Sequence, residues 1–160
     1  MQKIRHATLQ DVPAILEIFD TARSFMRQNG NFEQWMGNYP AESDVVSDIE
    51  LGEGYVIEDD GVVCAVFTMM SRPEPTYRVI DGKWLQNGPY GTIHRVASSG
   101  KSKGCVQAAV EYALQFHSVL RCDTHEVNLP MRNALTRAGF VYCGTVYMLD
   151  GTPRMAFERV

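Results

Sequence analysis

The spacing of apolar residues changes several times along the chain, and each change marks an element. "KIRHA" alternates and predicts a short first strand. It runs into "TLQDVPAILEIFDTARSFMRQNG", where Val12, Ile15, Leu16, Phe19, Ala22 and Met26 recur at helical spacing. Thr8 or Asp11 can cap this helix, and Gly30 stops it. Residues 43–51 predict a second, short helix that pairs Val45 and Val46 with Ile49 and ends at Gly52. The period then drops to two: "GYVIEDDGVVCAVFTMM" reads as two strands around Asp60-Gly61, a dipeptide that tolerates the positive φ of a tight hairpin. Residues 71–89 hold three prolines without clear periodicity and read as a long loop with some extended structure. Residues 90–97 predict a strand, and 103–117 a helix with Val106, Val110, Ala113 and Leu114 on one face. "SVLRCD" returns as a strand, "NLPMRNALTRAG" is a short helix closed by Gly139, and "FVYCGTVYMLDGTPRMAFERV" is a hairpin around Asp150-Gly151.

This order predicts the fold class. A strand, a helix and a strand in succession form a right-handed crossover with parallel strands, while the other connections are hairpins. The expectation is one α/β domain over residues 1–160, a mixed, mostly antiparallel twisted sheet with helices on both faces. In such sheets ligands gather at the carboxyl ends of the parallel strands and the helix N-terminus between them.

Composition narrows the partners. With 160 residues, 45% hydrophobic and 21% charged, the chain can build one core of ordinary size. A formal net charge of -4 leaves no broad basic surface for nucleic acid. No apolar run is long enough to span a membrane, and the N-terminus lacks a signal-peptide pattern. Cys64, Cys105, Cys122 and Cys143 are scattered without a C-x-x-C pair and read as reduced core thiols, which points to a cytoplasmic protein without structural zinc or another metal. Metal, hydrolytic and nucleotide-triphosphatase motifs are missing; a P-loop ending at Gly100-Lys101-Ser102 would need glycine where Arg95 stands.

"SSGKSKGCVQAAVEYAL", residues 98–114, places serines, glycines and lysines directly before an apolar helix. Such a segment offers backbone N–H groups and positive charge to a phosphate, or is an ordinary polar turn. Lys101-x-x-Gly104-x-Val106 resembles, in degraded form, motif A of the GNAT superfamily of acetyl-CoA-dependent N-acetyltransferases, whose pattern is R/Q-x-x-G-x-G/A. "LRCDTHEVNLPMRNALTRAGF" is similar to that family's strand five, helix four and closing Gly-Phe, with Asn128 before the helix and Gly139-Phe140 at its end. "IRHATLQDVPAI" resembles its opening, and the element order is the family's order.

The resemblance implies a splayed parallel strand pair and acetyl-CoA as co-substrate. Its pyrophosphate would meet the backbone of Ser102, Lys103, Gly104, Cys105 and Val106, with added charge from Lys101 and Lys103. Its pantetheine arm would pair with the open strand edge at Val96 and Ala97, and Asn128 would close over it. The implied reaction moves acetyl to a small-molecule amine, with the oxyanion stabilised by a backbone N–H near Val96. The base is His94 or the Asp123/His125 pair, taken to share one strand face by i, i+2 spacing. Where the family often has a tyrosine acid this chain has Leu135. Tyr147 or another side chain then supplies the proton, the thiolate leaves unaided, or the protein is a non-catalytic acyl-CoA binder. Trp35, Tyr39, Tyr77 and Trp84, with Phe32, line an acceptor pocket, or they cover the sheet or build a dimer contact. The final hairpin offers an edge through which a homodimer could pair.

Overall fold

A computed structural model describes residues 1–160. Eight strands and four α-helices alternate as β1 (Gln2–His6), α1 (Val12–Gln28), α2 (Glu42–Glu50), β2 (Gly54–Asp59), β3 (Val62–Met70), β4 (Asp81–Gly82), β5 (Gly91–Ser98), α3 (Cys105–Ala113), β6 (Leu120–Thr124), α4 (Leu129–Arg137), β7 (Val141–Tyr147) and β8 (Pro153–Arg159). The strands form one mixed sheet in the order β1-β2-β3-β5-β6-β8-β7-β4, with β5–β6 as a parallel pair. This is the α/β class that the sequence predicts. No helix is long and apolar enough to cross a membrane.

Two units divide the chain, Met1–Met69 with Arg95–Cys105 and Met70–His94 with Val106–Val160, so β5 contributes a half to each. In the first unit, Val12, Ile15 and Phe19 of α1 pack with Val45 of α2 and with Val56, Val66 and Ala97 of the sheet. Thr8 and Asp11 act on the turn before α1 rather than on the helix: Asp11 holds the N-cap position of α1 without a side-chain capping bond to it. Leu9–Asp11 is a 3-10 turn, and the Asp11 carboxylate accepts the Thr8 N–H at 2.7 Å and the Arg5 guanidinium at 2.8 Å. The hairpin between β2 and β3 turns at Asp60 (φ 51) and Gly61 (φ 80), the paired left-handed conformation of a two-residue turn.

After α1 the loop is fastened rather than loose. Arg27 donates to the carbonyls of Asn31 (2.9 Å), Gln34 (2.8 Å) and Trp35 (2.7 Å), and Arg23 donates to that of Tyr39 at 3.0 Å.

The second unit departs from expectation in the 71–89 segment. Pro75–Tyr77 forms a 3-10 turn capped by the Glu74 side chain, and Asp81–Gly82 pairs with Gly144 and Thr145 as β4. That pairing brings backbones so close that a Cβ at Gly82 would lie 2.3 Å from the Cys143 carbonyl oxygen. Neither contact has a periodic signature. Helix α3 is shorter than the predicted 103–117: Gly104 (φ 76) is left-handed, so the helix starts at Cys105.

Beneath the 84–86 loop sits a buried ion pair. The Arg121 Nε donates to Glu158 at 2.6 Å, and its guanidinium lies 4.0 Å from the ring centres of both Trp84 and Tyr90. Glu158 also accepts the Leu85 N–H (2.6 Å) and the Gln86 side-chain amide (3.1 Å). Breaking one partner of such a pair leaves a buried charge without compensation. Glu158→Gln is expected to lower unfolding free energy by about 3 kcal/mol in urea titrations. A loss below about 1 kcal/mol would contradict this role.

Candidate functional site

The parallel ladder between β5 and β6 is two residues long: Gly91 pairs with Leu120 and Thr92 with Arg121. Both strands continue beyond it. On β6, Arg121 and Asp123 point to the same face by the two-residue period, and the register gives Thr92 and His94 of β5 that face as well.

His94 stands there between two carboxylates. Its Nε2–H donates to Glu74 Oε2 at 3.1 Å, and its Nδ1 is 3.9 Å from Asp123 Oδ2, beyond hydrogen-bond reach. Glu74 is fixed in turn: its other oxygen accepts the Thr76 hydroxyl at 2.9 Å, and its backbone N–H donates to the Tyr90 hydroxyl at 3.1 Å. Burial raises the Glu74 pKa, but the hydrogen bond and charge of His94 and the bonds from Thr76 outweigh it and bring it down to about 2. Glu74 is therefore ionised at neutral pH, which makes Nε2 the donor nitrogen and leaves Nδ1 as the ring nitrogen without a bond to Glu74.

Tyr77, only 2% exposed, donates its hydroxyl to Asp123 Oδ2 at 2.5 Å. Burial first, and then the Asp123 charge, push its pKa well above the ordinary phenol value, so it stays a neutral donor. Tyr77 is thus a buried aromatic anchored on Asp123 that also forms part of a cavity wall. Trp84 donates its ring N–H to the Tyr77 carbonyl at 3.1 Å and stacks on Arg121. A cavity of about 320 Å³ is lined by Glu74, Tyr77, Trp84 and Tyr90, with Arg78 and Arg121 among its polar groups.

Several predicted residues have other surroundings. Strand β6 ends at Thr124, so His125 has left the strand face it was expected to share with Asp123; it is buried, and its Nδ1 accepts the Val127 N–H at 3.3 Å. Tyr147 is 47% exposed, and its place on β7 puts it on the opposite face from Asp123, because Asp123 pairs with Ala156 and Ala156 with Gly144, three residues before Tyr147. Leu135 is buried in α4. Asn128 caps α4, its side-chain oxygen accepting the Met131 N–H at 3.2 Å.

In the other unit, β5 continues through Arg95, whose φ of 50 interrupts the strand's regular alternation. A bidentate bond to Asp48 (2.9 and 2.6 Å) holds this conformation, with the Tyr39 hydroxyl on the remaining nitrogen at 2.9 Å. Thr68 donates to the same Asp48 at 2.7 Å. Tyr39 is therefore tied to the strand, whereas Trp35 packs edge-on against Phe19 at 5.4 Å as part of the core. Val96 is partly buried and Ala97 is buried.

The loop that follows turns at Gly100 (φ 82) and Gly104 (φ 76). Ser98 and Ser99 side chains accept the Gly100 and Lys101 N–H groups, and Ser102 donates to Asp59 at 2.8 Å. The Gln2 amide donates to the Lys103 carbonyl at 3.1 Å. Lys101 and Lys103 are exposed, and a helix that begins at Cys105 leaves its first N–H groups, Val106 included, without intrahelical partners. This can bind an anion.

Glu74 and the Arg95–Asp48 pair escape the sequence reading. Glu74 lies in a proline-rich stretch with no period, and Arg95 announces its left-handed backbone by no residue preference. A carboxylate next to a proline, capping the turn, is the single local signal for Glu74.

Comparison with known proteins follows the same lines. No family sequence model and no curated protein matches the chain. The crystal structure of a GNAT-family acetyltransferase from Streptococcus agalactiae superposes with a TM-score of 0.90 at 32% identity, over 99% of this chain and 95% of that one. A GNAT-family acetyltransferase from Bacillus cereus gives 0.70 at 14% identity over 100% and 99%. AAC(6')-Ib in complex with ribostamycin and coenzyme A gives 0.69 at 20% over 99% and 93%. These last two are likenesses of fold.

The ionised state of Glu74 has a testable sign. Its folded pKa of about 2 lies below the ordinary value of 4.5, so the stability it contributes is full above about 4.5 and disappears as pH falls toward 2. Urea stability measured across that interval should decline less in Glu74→Gln than in the parent chain. Equal slopes would contradict the lowered pKa of Glu74 in the folded chain.

Proposed function

As this chain belongs to the GNAT family of acetyltransferases, we propose that it transfers an acetyl group from acetyl-CoA directly to the primary amine of a small molecule in a ternary complex. The observation that carries this reading is His94, whose Nε2–H is committed to an ionised carboxylate and whose Nδ1 is not hydrogen-bonded to Asp123. His94 Nδ1 takes a proton from the acceptor amine, and the charge it gains falls between Glu74 and Asp123. Tyr77 keeps Asp123 turned toward the imidazole. In this reading His94 is the catalytic base, and Glu74, Asp123 and Tyr77 are positioning residues.

Acetyl-CoA supplies the activated thioester. The N–H groups of Ser102 to Val106, with Lys101 and Lys103, would hold its pyrophosphate, and Val96 and Ala97 its pantetheine arm. Asn128 would contribute through whatever its capping oxygen leaves available. The Val96 N–H, directly after the left-handed Arg95, is the candidate oxyanion donor. Hydrogen bonding of the loop serines to their own backbone supports a preformed cradle.

A non-catalytic acyl-CoA-binding role has one observation in its favour: Leu135 is buried and Tyr147 faces away, so neither is a proton donor beside His94. The leaving thiol has a pKa near 8.5, however, and can depart without a dedicated acid at moderate cost.

Thiol release from acetyl-CoA with a panel of small amines tests the reading. His94→Gln should lower kcat by about 10²- to 10⁴-fold with acetyl-CoA affinity unchanged. Lys101→Ala with Lys103→Ala should weaken acetyl-CoA binding by about tenfold in calorimetric titration. Binding without turnover for any amine would favour the non-catalytic role, and no binding at millimolar acetyl-CoA would overturn both.

A further inference from the structure

The cavity that Glu74 lines, on the far side of its bond to His94, holds an asymmetry of charge that bears on the acceptor. Two guanidinium groups line it. Arg121 is spent, bonded to Glu158 and to the Gln86 carbonyl (2.9 Å) and enclosed by two rings. Arg78 is exposed; its backbone N–H closes the turn on the Pro75 carbonyl, and its guanidinium makes no hydrogen bond or ion pair. It sits at the end of the Pro75–Tyr77 turn, so the turn that carries the His94 partner Glu74 at its start carries a free cation at its finish. The walls between them are Tyr77, Trp84 and Tyr90.

From this we infer that the acceptor is a small amino acid: an amine that also bears one carboxylate, with the amine on the Glu74–His94 side and the carboxylate on Arg78. This rests on the acetyl-transfer reading for the fate of the amine. Three features support the class. A planar guanidinium with all five N–H donors available matches a carboxylate bidentately. With Arg121 and Glu158 cancelling, the lining charges are one carboxylate and one guanidinium, which a zwitterion complements and a phosphate dianion or a polyamine does not. A second ammonium group on the acceptor would meet the Arg78 charge. Finally, about 320 Å³ lies at the small end of ligand pockets.

The test pairs amino acids with the amines that lack their carboxylate. The twenty common L-amino acids, their decarboxylated amines and spermidine are titrated calorimetrically into the protein with and without coenzyme A. Thiol release from acetyl-CoA gives kcat/KM for the same panel. We expect at least one amino acid to bind, and to be used, about tenfold or more better than its amine. Arg78→Gln should bring that ratio close to one, through KM rather than kcat, and Arg78→Lys should retain part of it. Arg78 is exposed, so unchanged melting temperatures are expected for both variants. Amines or spermidine performing as well as the acids, a ratio unmoved by Arg78→Gln, or no binding by any member of the panel would overturn the inference. Acetyl-CoA titration of the same samples separates the two readings. Discrimination by Arg78 without acetyl-CoA binding would overturn acetyl transfer and leave the carboxylate site standing; acetyl-CoA binding without discrimination would do the reverse.

Discussion

The parallel pairing of β5 with β6 stops after two residues, and the arrangement of the candidate site follows from that early stop. A parallel ladder carried to the ends of both strands would commit the backbone of β5 to its neighbour. Beyond Thr92, the next residue on that face, His94, bonds to Glu74 of the 71–89 segment and leaves its Nδ1 3.9 Å from Asp123 at the end of β6. One residue later, Arg95 leaves the extended region altogether. Such a backbone persists only where its surroundings hold it, and the bidentate Asp48 with its Thr68 bond does so.

Each buried charge near these positions has a partner, and the partners explain the architecture of the loops. Desolvation would expel an isolated Glu158 or Asp48. Arg121 and Arg95 offset it, and both guanidinium groups then order the chain around them: Arg121 the Trp84–Gln86 segment, Arg95 the Tyr39 end of its loop. Segments that look irregular in sequence are thus attached through cations, without the apolar stripe that attaches a helix. Glu74 follows the same rule with His94 as partner, so the carboxylate that caps the Pro75–Tyr77 turn also fixes the imidazole.

This is also why sequence was uneven in what it disclosed. Element order, the Asp60-Gly61 turn and the Asp150-Gly151 turn were legible, since period and turn chemistry are local properties. The loop 98–104 was legible as an anion-binding candidate, though Gly104 proved to lie outside the helix that 103–117 suggested. His94 and Asp123 could be named as candidates because both lie on predicted strands. Their union with Glu74 and Tyr77 could not, for it joins residues 20 and 46 positions apart through a segment with no period. Tyr77 and Trp84 looked like loop aromatics awaiting a ligand. Both do line the cavity, but Tyr77 is buried against Asp123 and Trp84 is held over Arg121, partners that no composition argument supplies. His125 misled because the i, i+2 rule ends where the strand does.

The measurement that bears most directly on this account is a crystal structure of the chain with coenzyme A bound. The account predicts the pyrophosphate on the backbone N–H groups of Ser102 to Val106, beside Lys101 and Lys103, and the pantetheine arm along the backbone of Val96 and Ala97. Coenzyme A bound elsewhere, with β5 unoccupied beyond Thr92, would contradict it.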